Sequence, residues 1–178
     1  IYVPLKHGAS VVLFDSEAGK QPATLARAIA ELRITIWYST PSILRMLLEY
    51  GKLEEYDCAS LRIVNFAGEV FPIKHLRALM ERWPHPQYIN LYGPTETNVC
   101  TYYSLRAPLP ESQATPLPIG RKCSGDETCV VGPNGAIAAR GEEGELVVAG
   151  GSVMLGYWNL PERNAEAFAE FDGRRWYR

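Results

Sequence analysis

The sequence predicts an α/β chain, a mainly parallel βαβ sheet layer followed by a small β-rich, barrel-like subdomain. Three observations carry this. Apolar, β-branched runs alternate with segments of helical periodicity over the first ninety or so residues, a proline-rich polar stretch then interrupts the chain, and beyond it short strand-like runs are separated by glycine turns.

The first run, residues 10–14, reads Ser-Val-Val-Leu-Phe and predicts a strand; residues 22–32 then place Leu25, Ala26, Ile29 and Leu32 at helical spacing. The pattern repeats. Residues 34–38 predict a strand before a helix over 41–50, residues 61–66 a strand before a helix over 73–83, and residues 88–91 a closing strand. Such alternation implies right-handed crossovers, with helices on one face of the sheet or on both. Ligands of open parallel sheets sit outside the carboxyl ends of the strands. Here those ends are Asp15, residues 38–41, residues 67–69 and residues 92–96.

Residues 108–118 are rich in proline and suit a linker, dividing the chain into an α/β part over 1–107 and a β-rich part over 119–178. In the second part, strands are predicted over 127–131 and 145–149. Asn134-Gly135 is a hairpin signal between them. A helix is predicted over 161–171, with Pro161 near its first turn and Ala165, Phe168 and Ala169 forming its apolar face.

With 178 residues, the chain has material for one medium domain that buries about 70% of its unfolded surface. Its net charge of −2, with Lys and Arg scattered, argues against a nucleic-acid face. No apolar run approaches the roughly 20 residues needed to span a bilayer. Small molecules and proteins are the expected partners. Cys58, Cys100, Cys123 and Cys129 form no Cys-x-x-Cys pair, and His7, His75 and His85 lie outside zinc-ligand spacing. Unpaired thiols fit a reducing cytoplasm, although a Cys123–Cys129 bridge in an oxidising compartment stays open.

The most informative stretch is Asn90-Leu91-Tyr92-Gly93-Pro94-Thr95-Glu96-Thr97. Gly93-Pro94 must end the preceding strand, so the residues that follow lie at the end of the sheet. Thr95 and Glu96 offer oxygen donors suited to magnesium carried on a phosphate. Tyr92 offers a flat face to a purine, a contact worth roughly 1–3 kcal/mol. The same residues also suit an ordinary strand-closing turn and helix start.

Asn-x-Tyr-Gly-Pro-Thr-Glu over 90–96 resembles a signature of the adenylate-forming ligases, in particular the amino-acid adenylation domains of nonribosomal peptide synthesis. A second stretch, Gly144-Glu145-Leu146 through Gly156-Tyr157 and Pro161 to Phe168, resembles the family's following motif. Trp176-Tyr177-Arg178 resembles the start of the family's Tyr-Arg-Thr-Gly-Asp element, and residues 1–9 the tail of the segment that carries its amino-group-binding Asp. The resemblance implies the central part of a larger enzyme. The phosphate loop, both of those Asp residues and the C-terminal catalytic Lys are absent from this stretch, so the segment alone is expected to be inactive.

The resemblance implies that a carboxylate attacks the α-phosphate of ATP, giving an acyl-adenylate and pyrophosphate, and that the acyl group then passes to the phosphopantetheine thiol of a carrier protein. Glu96 would hold Mg2+, Thr95 would bond a phosphate oxygen, Tyr92 would lie against the adenine beside Gly93, and Asn90 would reach its exocyclic amine. Ala67, Gly68 and Glu69 resemble the family's adenine wall. A Glu69 carboxylate facing the N-terminus of the next helix is the structural alternative. Tyr38, Asn65, Ala67, Leu91, Val99 and Cys100 match the positions that select the substrate, and they suggest a compact amino acid such as proline or alanine. Residues 66–72 with 98–103 look closer to free-standing amino acid:carrier-protein ligases than to modules of large synthetases. An acyl- or aryl-CoA synthetase-type enzyme is the enzymatic alternative, and a non-catalytic scaffold segment the other.

Overall fold

The computed structural model describes residues 2–178 and contains two sheets. Ile1, the first residue of the N-terminal resemblance, lies outside the described residues. The first sheet has the order β1-β2-β3-β4-β5, formed by Ile36–Ser39, Ile63–Ala67, Gln87–Tyr92, Thr101–Arg106 and Arg121–Lys122. Strands β1, β2 and β3 run parallel, in a register that sets Ser39 beside Phe66 and Phe66 beside Asn90. Strand β4 returns antiparallel to β3 and carries β5 along its outer edge.

Helix α1 spans Tyr2–Lys6, and α2 (Pro22–Glu31), α3 (Pro41–Tyr50) and α4 (Ile73–Arg82) fall where helical spacing predicts them. Pro22 and Pro41 sit in the first turn, where a missing N–H costs nothing, and Thr40 accepts a hydrogen bond from Ile43 N. Leu25, Ala26 and Ile29 of α2, Leu44 and Leu47 of α3, and Leu76, Leu79 and Met80 of α4 are buried against Trp37, Val64, Phe66 and Tyr88 of the sheet. Because side chains alternate across a strand, these four residues share one face. The three helices therefore cover that face, and Ile36, Tyr38, Asn65 and Leu91 stay exposed or half-buried on the other.

The strand predicted at residues 10–14 is not formed. A strand needs a ladder, and β1 pairs only with β2. Val12 and Leu13 are exposed, and the segment is held by a side-chain contact, the Phe14 ring lying 5.9 Å from that of Trp37. Asp15, expected at a ligand-facing strand end, instead accepts a hydrogen bond from Ala18 N at the start of a short 3-10 turn. Strand β4 goes unrecognised in the sequence because it follows an eight-residue loop rather than a two-residue turn. Its Thr-Tyr-Tyr-Ser-Leu run carried the strand signal.

The proline-rich stretch carries no helix or strand but is packed. Leu109 is buried in the first core, and the Arg77 guanidinium donates to the carbonyls of Leu109, Pro110 and Gln113.

The second sheet is antiparallel, with the order β6-β7-β9-β8 from Asp126–Val131, Glu145–Gly150, Arg174–Tyr177 and Phe168–Phe171. Val147, Ala149 and Trp176 form its core, with Phe171 stacked on Trp176 at 4.7 Å. The helix predicted over 161–171 is shorter. Helix α5 ends at Ala167, and Phe168 and Ala169 begin β8, so they form no helical face, while Ala165 is exposed. Asp172-Gly173, with φ of 55° and 66°, makes the mirror-image turn that suits a tight hairpin and pairs Phe168 with Tyr177. Local pairing wins over helical extension there.

Candidate active site at the carboxyl ends of the parallel strands

The parallel register brings three chain segments to one edge of the first sheet: the exit of β1 at Thr40, the exit of β2 at Gly68 and the exit of β3 at Gly93. The last two flank a cavity of about 330 Å³. Gly68, Glu69, Asn90, Leu91, Tyr92, Gly93 and Pro94 line it, with Leu117 and Ile119 contributed by the chain beyond β4. Ala67 is absent from its wall.

Asn90 is oriented by a hydrogen bond from Nδ2 to the Pro118 carbonyl at 3.0 Å. A carbonyl can only accept, so it takes the amide nitrogen and leaves Oδ1 as the acceptor. Tyr92 is 42% exposed. Gly68 has a φ of +89°, and a Cβ there would meet the Thr40 methyl at 4.0 Å, an ordinary contact. Glu69 lines the cavity, and its Oε2 accepts from Ser42 N at 3.2 Å and from the Ser42 hydroxyl, so it faces the N-terminus of α3 rather than that of the following helix, the structural alternative expected from the sequence. A carboxylate there meets the positive end of the helix dipole.

The loop from Gly93 to Cys100 is tightly closed. Cys100 N donates to Tyr92 O at 2.9 Å, Thr97 N donates to Pro94 O, and the fully buried Thr97 donates its hydroxyl to Asn98 O. A Cβ on Gly93 would lie 1.7 Å from Asn98 O, so no other residue fits this turn unless the loop opens. Within the loop, Thr95 is exposed and Glu96 half-buried. The Tyr157 hydroxyl donates to Glu96 Oε1 at 2.7 Å, and Met154 N donates to the Glu96 carbonyl at 2.7 Å. The hydroxyl, together with a backbone hydrogen bond, holds the Glu96 carboxyl below the usual carboxylate range, and the carboxylate in turn pushes the Tyr157 phenol up.

Tyr38, Asn65, Ala67, Leu91, Val99 and Cys100 divide between places. Tyr38 and Asn65 are register partners and border a groove of about 700 Å³ between β1 and residues 9–14. Ala67 and Leu91 pair across β2 and β3 on the same exposed face. Val99 lies in the loop, and Cys100 is fully buried beside it, where desolvation pushes its thiol up. Asn65 Oδ1 is buried and has no hydrogen-bond partner among the described residues. The four cysteines are free thiols. No group of three His, Cys, Asp or Glu side chains suited to a metal occurs among the described residues, nor a helix long and apolar enough to cross a membrane.

The sequence pointed to Gly156-Tyr157 as part of a motif without giving Tyr157 a role. Its contact with Glu96 joins positions 61 apart, and spacing carries no signal for it.

The chain is 45% identical over 161 residues to an L-proline--[L-prolyl-carrier protein] ligase of Pseudomonas fluorescens, a match that covers 90% of the chain and 32% of the relative. A protein of the same description from Streptomyces coelicolor is 47% identical over 165 residues, covering 91% and 31%. A D-alanine--D-alanyl carrier protein ligase of Bacillus cereus is 33% identical over all 178 residues, or 35% of that relative. The chain thus spans about a third of the length of these curated relatives. Among solved structures, CmiS6 superposes with a TM-score of 0.90 at 28% identity, over 99% of the chain and 44% of that protein. IdnL1 superposes with a TM-score of 0.88 at 27% identity, over 96% and 36%. The model of the AMP-binding enzyme family matches residues 1–158, and the chain belongs to that family.

Proposed function

We propose that the chain is the central part of an AMP-forming ligase that activates a small amino acid with ATP and passes it to the phosphopantetheine thiol of a carrier protein, of the nonribosomal-peptide type. The observation that carries this reading is the cavity at the ends of β2 and β3, which gathers the Gly68 and Tyr92 loops around one space. In it, Tyr92 supplies a flat face for adenine, the Asn90 Oδ1 accepts from the exocyclic amine, and Gly68 and Gly93 keep the walls close to the base. Glu69 forms part of the wall and ties this loop to α3, while Ala67 supports it indirectly from the sheet. The pieces over 1–107 and 119–178 act as two units joined by 108–118.

The residues present fit a magnesium ion. Glu96 is an ionised, hard oxygen donor at the mouth of the loop, and a single carboxylate suffices for an ion whose remaining ligands are phosphates and water. Bound there, Mg2+ would neutralise phosphate charge. The chain's own contribution is positioning: the exposed Thr95 hydroxyl donates to a phosphate oxygen, and the closed loop holds donor and carboxylate in one arrangement before substrate arrives.

Tyr38, Asn65, Ala67, Leu91, Val99 and Cys100 select the substrate side chain. Proline is the first candidate and D-alanine the second, in the order of identity to the relatives named for those substrates. Four free thiols suit a reducing compartment such as the cytoplasm.

The test is amino-acid-dependent ATP–pyrophosphate exchange by the protein in its full reading frame, with Glu96→Ala as control. Exchange with proline alone, lost in the control, is the expected result, and no exchange with any amino acid would overturn the reading. Ala67→Trp fills the exposed sheet face between Asn65 and Leu91 and is expected to abolish exchange with the true substrate.

A further inference from the structure

We propose that Tyr157, locked by Asn164, is a positioning residue that fixes the Glu96 carboxylate for binding of the metal–nucleotide pair, an inference that rests on the reading of Glu96 given above. A phenol at the tip of a free loop could not orient a carboxylate. This one is held at its backbone, its ring and its hydroxyl. The Asn164 side chain accepts from Tyr157 N through Oδ1 at 2.7 Å and donates from Nδ2 to Tyr157 O at 2.9 Å, so one amide satisfies both backbone groups of Tyr157. Gly156 permits that approach, since a Cβ there would lie 2.9 Å from Asn164 Oδ1. The Arg163 guanidinium lies 5.5 Å from the centre of the Tyr157 ring, over its face.

From this fixed base the Tyr157 hydroxyl reaches Glu96 Oε1 at 2.7 Å, while Met154 N, three residues earlier, donates to the Glu96 carbonyl at 2.7 Å. Glu96 is thereby gripped at both ends, main chain and carboxylate, by one short segment. Two grips define the direction of the side chain, and a carboxylate already held in one rotamer loses little conformational entropy when a cation binds it. The segment belongs to neither β3 nor its loop. It lies between β7 and α5, so the nucleotide loop of the first sheet is completed by the second part of the chain.

The experiment uses the protein in its full reading frame. Mn2+ binding in the presence of a non-reacting ATP analogue is measured by electron paramagnetic resonance for the parent, Tyr157→Phe, Asn164→Ala and Glu96→Ala, with melting temperature and the amino-acid KM of pyrophosphate exchange measured alongside. A hydrogen bond to a charged group is worth enough that Tyr157→Phe is expected to weaken Mn2+ binding about tenfold. Melting temperature and amino-acid KM stay unchanged, because the substitution removes one oxygen from a half-buried ring. Asn164→Ala is expected to shift Mn2+ binding in the same direction. Parent-like Mn2+ affinity in Tyr157→Phe, with affinity lost in Glu96→Ala, overturns the role of Tyr157 and leaves Glu96 as the metal residue. Unchanged affinity in Glu96→Ala overturns both. A Tyr157→Phe protein whose melting temperature and amino-acid KM deteriorate in step with Mn2+ affinity shows a general structural role and also overturns the proposal.

Discussion

Gly93→Ala isolates the closure of the Gly93–Cys100 loop as a physical quantity. The added methyl would sit 1.7 Å from Asn98 O, 2.7 Å from Asn98 C and 2.9 Å from Cys100 N, all of them backbone atoms. Such contacts are essentially never closer than 3.0 Å, so the 98–99 peptide must retreat by more than an ångström. It has little freedom to do so. Asn98 sits at a φ of 53°, its side chain accepts from Val99 N at 2.8 Å, and Cys100 N is bonded to Tyr92 O. Overpacking of this kind costs about 1–3 kcal/mol, and each displaced hydrogen bond adds about 1 kcal/mol. A loss of about 3 kcal/mol is therefore expected by urea denaturation of the full reading frame followed by tryptophan fluorescence. Nucleotide affinity should fall with it, because Tyr92 and Glu96 flank Gly93 in the loop that the displaced peptide closes. Gly19→Ala is the matched control, since nothing lies within 4 Å of its added methyl and its φ is not positive. If the two variants have equal stability and bind nucleotide alike, the argument from loop closure is wrong.

In the first core, Leu44→Ala removes a fully buried side chain between α3 and the sheet and is expected to cost about 3 kcal/mol by the same denaturation assay. Asn65→Ala removes a buried carbonyl oxygen that has no partner among the described residues, so it should leave stability unchanged or raise it while altering amino-acid preference in exchange assays; a marked loss of stability would show that Oδ1 is in fact satisfied. The exposed Glu127 carboxyl is held below its ordinary range by the hydrogen bond from Lys122 and by that ammonium's charge. Its folded pKa is depressed, so any stabilisation from the pair is present above the ordinary carboxylate pKa and is lost as pH falls through the folded value. NMR titration should show the Glu127 midpoint return to the ordinary range in Lys122→Gln. Burial pushes the thiols of Cys58, Cys100, Cys123 and Cys129 up, so alkylation at pH 7.5 should be slow for the native protein and reach all four only after denaturation.

The helices and parallel strands of the first sheet were legible because their signals are local. Helical spacing in Leu25, Ala26 and Ile29, and the proline-led starts at Pro22 and Pro41, need no knowledge of distant residues. The position of the loop after β3 followed equally directly, since Gly93-Pro94 ends a strand wherever the sheet lies. Where a short segment's state depended on a partner, the reading failed. Residues 10–14 have strand composition but no ladder, Phe168 and Ala169 continue a helical pattern but are captured by β9, and Thr101–Arg106 became a strand because β3 offered an edge.

The same division runs through the site. Residue types along 90–96 were enough to name Asn90, Tyr92, Thr95 and Glu96 as candidates, because donor inventory and turn chemistry belong to the residues themselves. Folding alone decided that Pro118 orients Asn90, that Glu69 turns to Ser42, and that Tyr157 meets Glu96 across 61 positions. Those contacts arise from the register of one sheet and the placement of the segment after β7, and neither leaves a periodic trace in the chain.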